Sequence, residues 1–113
     1  MPVKKKKFLE LPQAMLFIRE QSAEVQAEYR QIVTMLEEDG RLAMPFGEKI
    51  EGENLFAIRV IKAGNVRVFY VYGNEDRIYG LFGYVKKTQE IPAHEMKKAQ
   101  KMVSQLRRGG WIK

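Results

Sequence analysis

Residues 55–87 read as three consecutive β-strands, and no other stretch limits the fold of this chain so tightly. The strands cover 55–61, 66–72 and 77–87, each rich in β-branched and aromatic side chains. The intervening segments, Lys62-Ala63-Gly64-Asn65 and Gly73-Asn74-Glu75-Asp76, are short, which predicts an antiparallel meander. Basic residues interrupt the apolar pattern. An arginine in such a strand is costly unless an anion meets it or its head reaches water. Arg59 and Arg67 sit on adjacent strands, and Lys86 and Lys87 end the third. Together they point to a phosphate-rich partner.

Register makes that reading geometric, because opposed residues of an antiparallel pair share a face. A three-residue loop with Gly64 in the left-handed position puts Arg59 opposite Arg67. A two- or four-residue loop puts the arginines on opposite faces. A second turn over residues 73–76 brings Tyr84 and Lys86 to the face of Arg67. Lys87 then points the other way, unless the strand ends at Lys86.

The rest of the 113 residues fits one domain, residues 1–113. Val3 to Leu11 reads equally well as a lysine-protected edge strand or as a solvated tail. Pro12 suits the first position of a helix that carries Ala14, Met15, Phe17 and Ile18. A second helix starts at Ser22 as N-cap. It buries Val25, Tyr29, Ile32, Val33 and Leu36, and stops at Asp39-Gly40. Residues 41–54 read as a long loop. Pro92 opens a last helix with Met96, Ala99, Val103 and Leu106 on its apolar face. Lys97, Lys98, Lys101, Arg107 and Arg108 cover the remainder, and Gly109-Gly110 end it. The fold class is α+β, with a helical hairpin and a C-terminal helix on one face of a small antiparallel sheet of three to four strands.

The formal net charge of +6 favours an acidic partner, nucleic acid or protein. With no cysteine, disulfides, thiolate metal sites and a cysteine nucleophile are excluded, and a reducing cytoplasm is the expected compartment. His94 is the one histidine, so no multi-histidine metal site exists. No run of about 18 apolar residues predicts a membrane span. No cofactor is expected.

Three segments carry a resemblance: residues 47–60 around Arg59, Arg67-Val68-Phe69-Tyr70, and residues 82–92 with Lys86-Lys87-Thr88-Gln89 before Pro92. They resemble the RelE/ParE toxin superfamily, most closely its HigB or phage Gp49-like branch. The resemblance implies a RelE-like fold and the toxin of a type II toxin–antitoxin system, one that cleaves translated mRNA in the ribosome. It also implies a cognate antitoxin, of helix-turn-helix (HigA-like) type in this branch. Two positions depart from the branch pattern. Ala57 stands where many members have glutamate, and Phe82 where many have histidine. A ParE-like gyrase inhibitor and a non-catalytic toxin that only binds its antitoxin are the alternatives.

Metal-free RNA cleavage uses the 2′-hydroxyl as nucleophile. The site must take that proton, stabilise the phosphorane and protonate the leaving 5′ oxygen. On this reading Arg59 and Arg67 grip the scissile phosphate. Lys49 or Lys86 takes the proton, since neighbouring cations disfavour the charged form of a lysine. Tyr84 stacks on a base or positions the phosphate. Lys87, Lys97, Lys98 and Lys101 contact RNA. The competing structural reading pairs Arg59 and Arg67 with Glu48, Glu51 or Glu53, and leaves His94 on the surface.

Overall fold

The strand-rich stretch forms the centre of a five-stranded sheet. The structure, a computed structural model, describes residues 4–50, 52 and 54–113. Its elements are β1 (Lys7–Glu10), α1 (Pro12–Arg19), α2 (Ala23–Asp39), β2 (Gly47–Lys49), β3 (Phe56–Val60), β4 (Val66–Tyr72), β5 (Arg77–Val85) and α3 (Ala93–Arg108). The sheet order is β1-β5-β4-β3-β2. β3 to β5 form the expected antiparallel meander, β2 adds an antiparallel strand beside β3, and β1 lies parallel to β5, with Phe8 beside Ile78. The sheet is therefore mixed and has five strands, where three to four antiparallel ones were expected. Of the two readings of the N-terminal segment, the edge strand holds for Lys7–Glu10, and Val3 lies outside the described residues.

The local signals for helices act as expected. Ser22 Oγ accepts a hydrogen bond from Val25 N at 3.2 Å. Gly40 closes α2 in the left-handed region at φ 79°, donating its N–H to Leu36 O, a position where glycine has no Cβ penalty. Val25, Tyr29, Ile32 and Leu36 are buried. Glu37 is buried beside them because it has work at the sheet edge. One oxygen accepts the Phe8 amide at 2.8 Å, and the other meets Lys4 Nζ at 3.0 Å.

Three further expectations are corrected. First, the helices do not share one sheet face. Ile18 of α1 and Val25, Tyr29, Ile32 and Leu36 of α2 pack on Ile58, Val60, Val66, Val68 and Tyr70. Met96, Ala99, Val103 and Leu106 of α3 pack on the other face, against Ala57, Phe69, Val71 and Phe82. β4 is therefore covered on both sides, which is why it reads as an unbroken apolar run. Second, the stretch 41–54 is not all loop, since it contains β2. Gly47 there lies so near Leu42 that an added Cβ would stand 2.6 Å from the Leu42 Cβ. Third, Gly64 is not left-handed; among the described glycines only Gly40, Gly52 and Gly110 have positive φ. The last pair of the β3–β4 hairpin is Val60 with Val66, and the turn is held by Glu28 of α2 instead. Its carboxylate accepts the amides of Ile61, Lys62 and Ala63 at 2.9, 3.1 and 2.7 Å. The register is nonetheless the one expected, with Arg59 opposite Arg67.

Candidate functional site

Arg59, Arg67 and Tyr84 form a row across three adjacent strands on the α3 side of the sheet. Tyr84 reaches this row through two offsets. The β4–β5 turn is one residue longer than expected, pairing Tyr72 with Ile78, and a bulge at Leu81 adds another. Each offset alone would flip the strand; together they preserve the face and set Tyr84 directly opposite Arg67.

The row is rich in donors and poorly satisfied. Arg67 is 3% exposed, and its Nη1 donates to Asn65 Oδ1 and Val66 O, each at 3.2 Å. Its Nε stands 3.4 Å from Glu48 Oε1, an ion pair without the alignment of a hydrogen bond. Arg59 Nη1 donates to Pro45 O at 3.2 Å. Among the described residues three buried side-chain polar atoms have no hydrogen-bond partner: Arg59 Nε, Arg67 Nε and Tyr84 Oη. All three lie in this row. Unmet buried donors cost roughly 1–3 kcal/mol each and call for an explanation.

The electrostatics follow from the packing. Burial lowers the Arg67 pKa, and the Arg59 guanidinium lowers it further, against the pull of Glu48 and Tyr84. Burial raises the Tyr84 pKa; Arg67 acts against this, while Glu48 and Glu95 add to it. The phenol is thus neutral near pH 7, and a donor. Two like-charged guanidiniums held on one face by neighbouring strands repel in the absence of an anion and gain when one bridges them.

Behind the row, the next residues on this face are Glu48, Ala57, Phe69 and Phe82, on β2, β3, β4 and β5 in turn. Ala57, Phe69 and Phe82 make an apolar floor, and Phe69 stacks on Tyr84 at a centroid distance of 5.6 Å. Lys98 of α3 holds its Nζ 4.3 Å from the Phe82 ring centroid, a cation–π contact.

Beside the row an open depression of about 410 Å³ is lined by Asn65, Arg67, Lys86, Lys87, Thr88 and Gln89. β5 ends at Val85, so both lysines belong to the loop and both reach the depression. Asn65 ties this flank to the row. Its Oδ1 holds Arg67, its Nδ2 donates to Lys86 O at 2.9 Å, and its own carbonyl accepts Lys86 N at 2.7 Å.

The structure thus gathers Arg59, Arg67 and Tyr84, with Lys86 and Lys87 alongside. It does not gather Lys49, which pairs with Phe56 and so faces the α2 side. Lys97 and Lys101 are exposed on α3. His94 is on the surface, its side chain 80% exposed and its Nε2 3.8 Å from Glu95. Glu48 pairs with Arg67 as the structural reading expected, whereas Glu51 and Glu53 lie outside the described residues. Sequence reasoning missed Asn65, and it gave Glu48 no role beyond a salt bridge. Strand parity would have placed Glu48, but three residues containing a glycine and two charges do not announce a strand.

A family model for phage-derived protein Gp49-like (DUF891) matches residues 16–104. The chain belongs to the phage-derived Gp49-like family. The match runs from within α1 to within α3 and includes every residue of the row and its flank. Among solved structures, this Gp49-like chain is similar to one from the archaeal RelE–RelB complex of Pyrococcus horikoshii OT3. The TM-score is 0.62 at 19% identity, covering 72% of this chain and 94% of that one. At that identity the likeness establishes a shared RelE-like fold. No curated protein matches the chain.

Proposed function

We propose that this Gp49-like protein is the toxin of a toxin–antitoxin pair, and that it cleaves translated mRNA on the ribosome. The observation that carries this reading is the row of three unmatched buried donors, Arg59 Nε, Arg67 Nε and Tyr84 Oη. A phosphodiester offers several acceptor oxygens and a negative charge, which suits two guanidiniums and a neutral phenol. Arg59 and Arg67 grip the scissile phosphate, and Tyr84 donates to it. Lys86 lines the flanking depression together with Arg67 and serves in proton transfer. Lys87, Lys97, Lys98 and Lys101 contact RNA outside the scissile position. The fold shared with a chain of a RelE–RelB complex supports a protein antitoxin as partner. A helix-turn-helix type for that partner and a cytoplasmic location complete the proposal.

The chemistry uses the 2′-hydroxyl and requires no metal. The 2′ oxygen loses its proton and bonds to phosphorus, the bond from phosphorus to the 5′ oxygen breaks, and that oxygen takes up a proton. The products are a 2′,3′-cyclic phosphate and a 5′-hydroxyl. Preorganised donors on the phosphorane contribute about 3 kcal/mol each. Primer extension on translated mRNA after induction tests the reading. Wild type is expected to produce discrete breaks that Arg67→Ala does not; breaks of equal strength from both, or none from wild type, refute it.

The apolar floor of Ala57, Phe69 and Phe82 supports a second reading, a toxin fold that binds its antitoxin and cleaves nothing. Growth arrest on expression without the neighbouring gene product counts against it.

A further inference from the structure

We infer that Glu48 is the proton acceptor of this site, a catalytic residue supplied by the edge strand β2. The inference rests on the RNA-cleavage reading above and identifies the group that reading leaves open. The β2–β3 register sets Glu48 directly opposite Ala57, on the face of the arginine row. Ala57 offers only a methyl group there, so the only polar side chain of this cross-strand pair is the Glu48 carboxylate. The rest of that floor is Phe69 and Phe82, which can neither give nor take a proton. The Glu48 side chain is 30% exposed, while its partner Arg67 is 4% exposed. The Glu48 side chain is therefore partly open to the surface, while the Arg67 Nε it meets is buried beneath it.

Neighbouring groups divide the roles. Arg59 on β3 and Arg67 on β4 are cations that bind phosphate. Tyr84 on β5 is a neutral phenol that donates. Lys86 beyond β5 is a flanking ammonium. Glu95 on α3 acts on Tyr84 electrostatically, but its carboxylate is turned to His94 at 3.8 Å and is 18% exposed. Lys49 faces the opposite side of the sheet. Glu48 is thus the carboxylate that abuts a phosphate-gripping atom, its Oε1 3.4 Å from Arg67 Nε. A phosphate that takes the Nε edge displaces the carboxylate from it by one contact and leaves it beside the ribose. There a Glu48 oxygen accepts the 2′-hydroxyl proton as the 2′ oxygen bonds to phosphorus. The departing 5′ oxygen takes its proton from the Lys86 ammonium. Glu48 ends protonated and Lys86 neutral, and solvent restores both.

Because Glu48 also competes with phosphate for Arg67, base and salt-bridge roles separate experimentally. Glu48→Gln keeps the shape and removes the charge. Single-turnover cleavage on programmed ribosomes is expected to fall about 10²–10⁴-fold. Binding to ribosomes carrying a 2′-deoxy nucleotide at the scissile position is expected to stay equal or tighten. The acidic limb of the wild-type pH–rate profile is expected to vanish in the variant. Glu48→Asp, which retains the carboxylate charge, is expected to recover part of the rate and the acidic limb, and serves if Glu48→Gln folds poorly. Wild-type rate and pH profile in Glu48→Gln, beside loss of cleavage in Arg67→Lys, overturn the inference while the RNA-cleavage reading stands. Loss of cleavage and 2′-deoxy binding together overturns it in favour of a structural salt bridge. No cleavage by wild type removes both readings.

Discussion

At the scale of single residues, the site sets function against stability. Tyr84 keeps a buried hydroxyl with no partner, at the centre of an otherwise well-packed face. Removing an unmatched buried polar group relieves its desolvation cost. Tyr84→Phe is therefore expected to raise stability by about 1 kcal/mol in urea unfolding while lowering the cleavage rate. An unchanged rate, or a loss of stability, contradicts the idea that this hydroxyl waits for a ligand. Arg67 tests the same point through shape. Lysine keeps the charge but loses the planar fork and its Nε edge. Arg67→Lys is expected to reduce cleavage roughly 10²-fold, the worth of one lost oxyanion-type donor. Recovery of the full rate by lysine means that charge alone suffices.

At the scale of elements, the arginine row depends on a turn and an edge strand outside β3 to β5. Glu28 of α2 ties the β3–β4 turn, and thus the spacing of Arg59 and Arg67, through three backbone amides. Burial acts to raise the Glu28 pKa, but those amides and Lys62 outweigh it, and the net shift is downward. A lowered folded-state pKa means stability that is present above the unfolded carboxylate range and is lost as pH falls through the folded value. Glu28→Gln is expected to cost about 1 kcal/mol near pH 7. The gap from wild type should close as the solution is acidified below pH ~4. A gap that persists in acid means the carboxylate charge is not what holds the turn. β2 is equally exposed to test. Gly47→Ala pushes a Cβ to 2.6 Å from Leu42 Cβ, so the strand must shift. A stability loss of about 1–3 kcal/mol is expected, with reduced cleavage because Glu48 moves with it.

These elements also show what the sequence could and could not convey. The meander, the α2 stripe from Val25 to Leu36 and its Ser22 and Gly40 caps were legible, because each rests on local chemistry. The pairing of Arg59 with Arg67 was legible through parity, even though Gly64 was given a role that Glu28 plays. Leu81 was not legible, since a bulge carries no mark in a strand this apolar. β2 and the parallel docking of β1 were not legible either, because their pairing is settled by distant strands. The two-sided burial of β4 had a trace in the sequence, an apolar run from Val66 to Val71 broken only by Arg67. Asn65 is the residue whose role depended on all of this, for it joins Arg67 to Lys86 across two strands.

At the scale of the whole molecule, three layers bring unlike chemistries to one end of the sheet. α1 and α2 build the apolar support behind it, β2 to β5 fix the row, and α3 covers the front with a basic outer face. No helix in the described residues is long and apolar enough to cross a membrane. The net charge of +6 gives the molecule an attraction for RNA that does not depend on sequence. Replacing Lys97 and Lys101 by alanine is expected to weaken ribosome binding, and to lower the slope of log affinity against log salt by roughly 1 per lysine. An unaltered slope places the RNA elsewhere. A fold shared at 19% identity shows how little of the architecture depends on particular side chains, so the function must be sought in the row itself. The most direct test of that claim is cleavage of mRNA on translating ribosomes by purified wild type and by folded Arg67→Lys, with the new ends analysed. The expected result is breaks bearing 2′,3′-cyclic phosphate and 5′-hydroxyl ends, reduced roughly 10²-fold by the substitution. Intact mRNA with wild type, or equal cleavage by both proteins, contradicts the account.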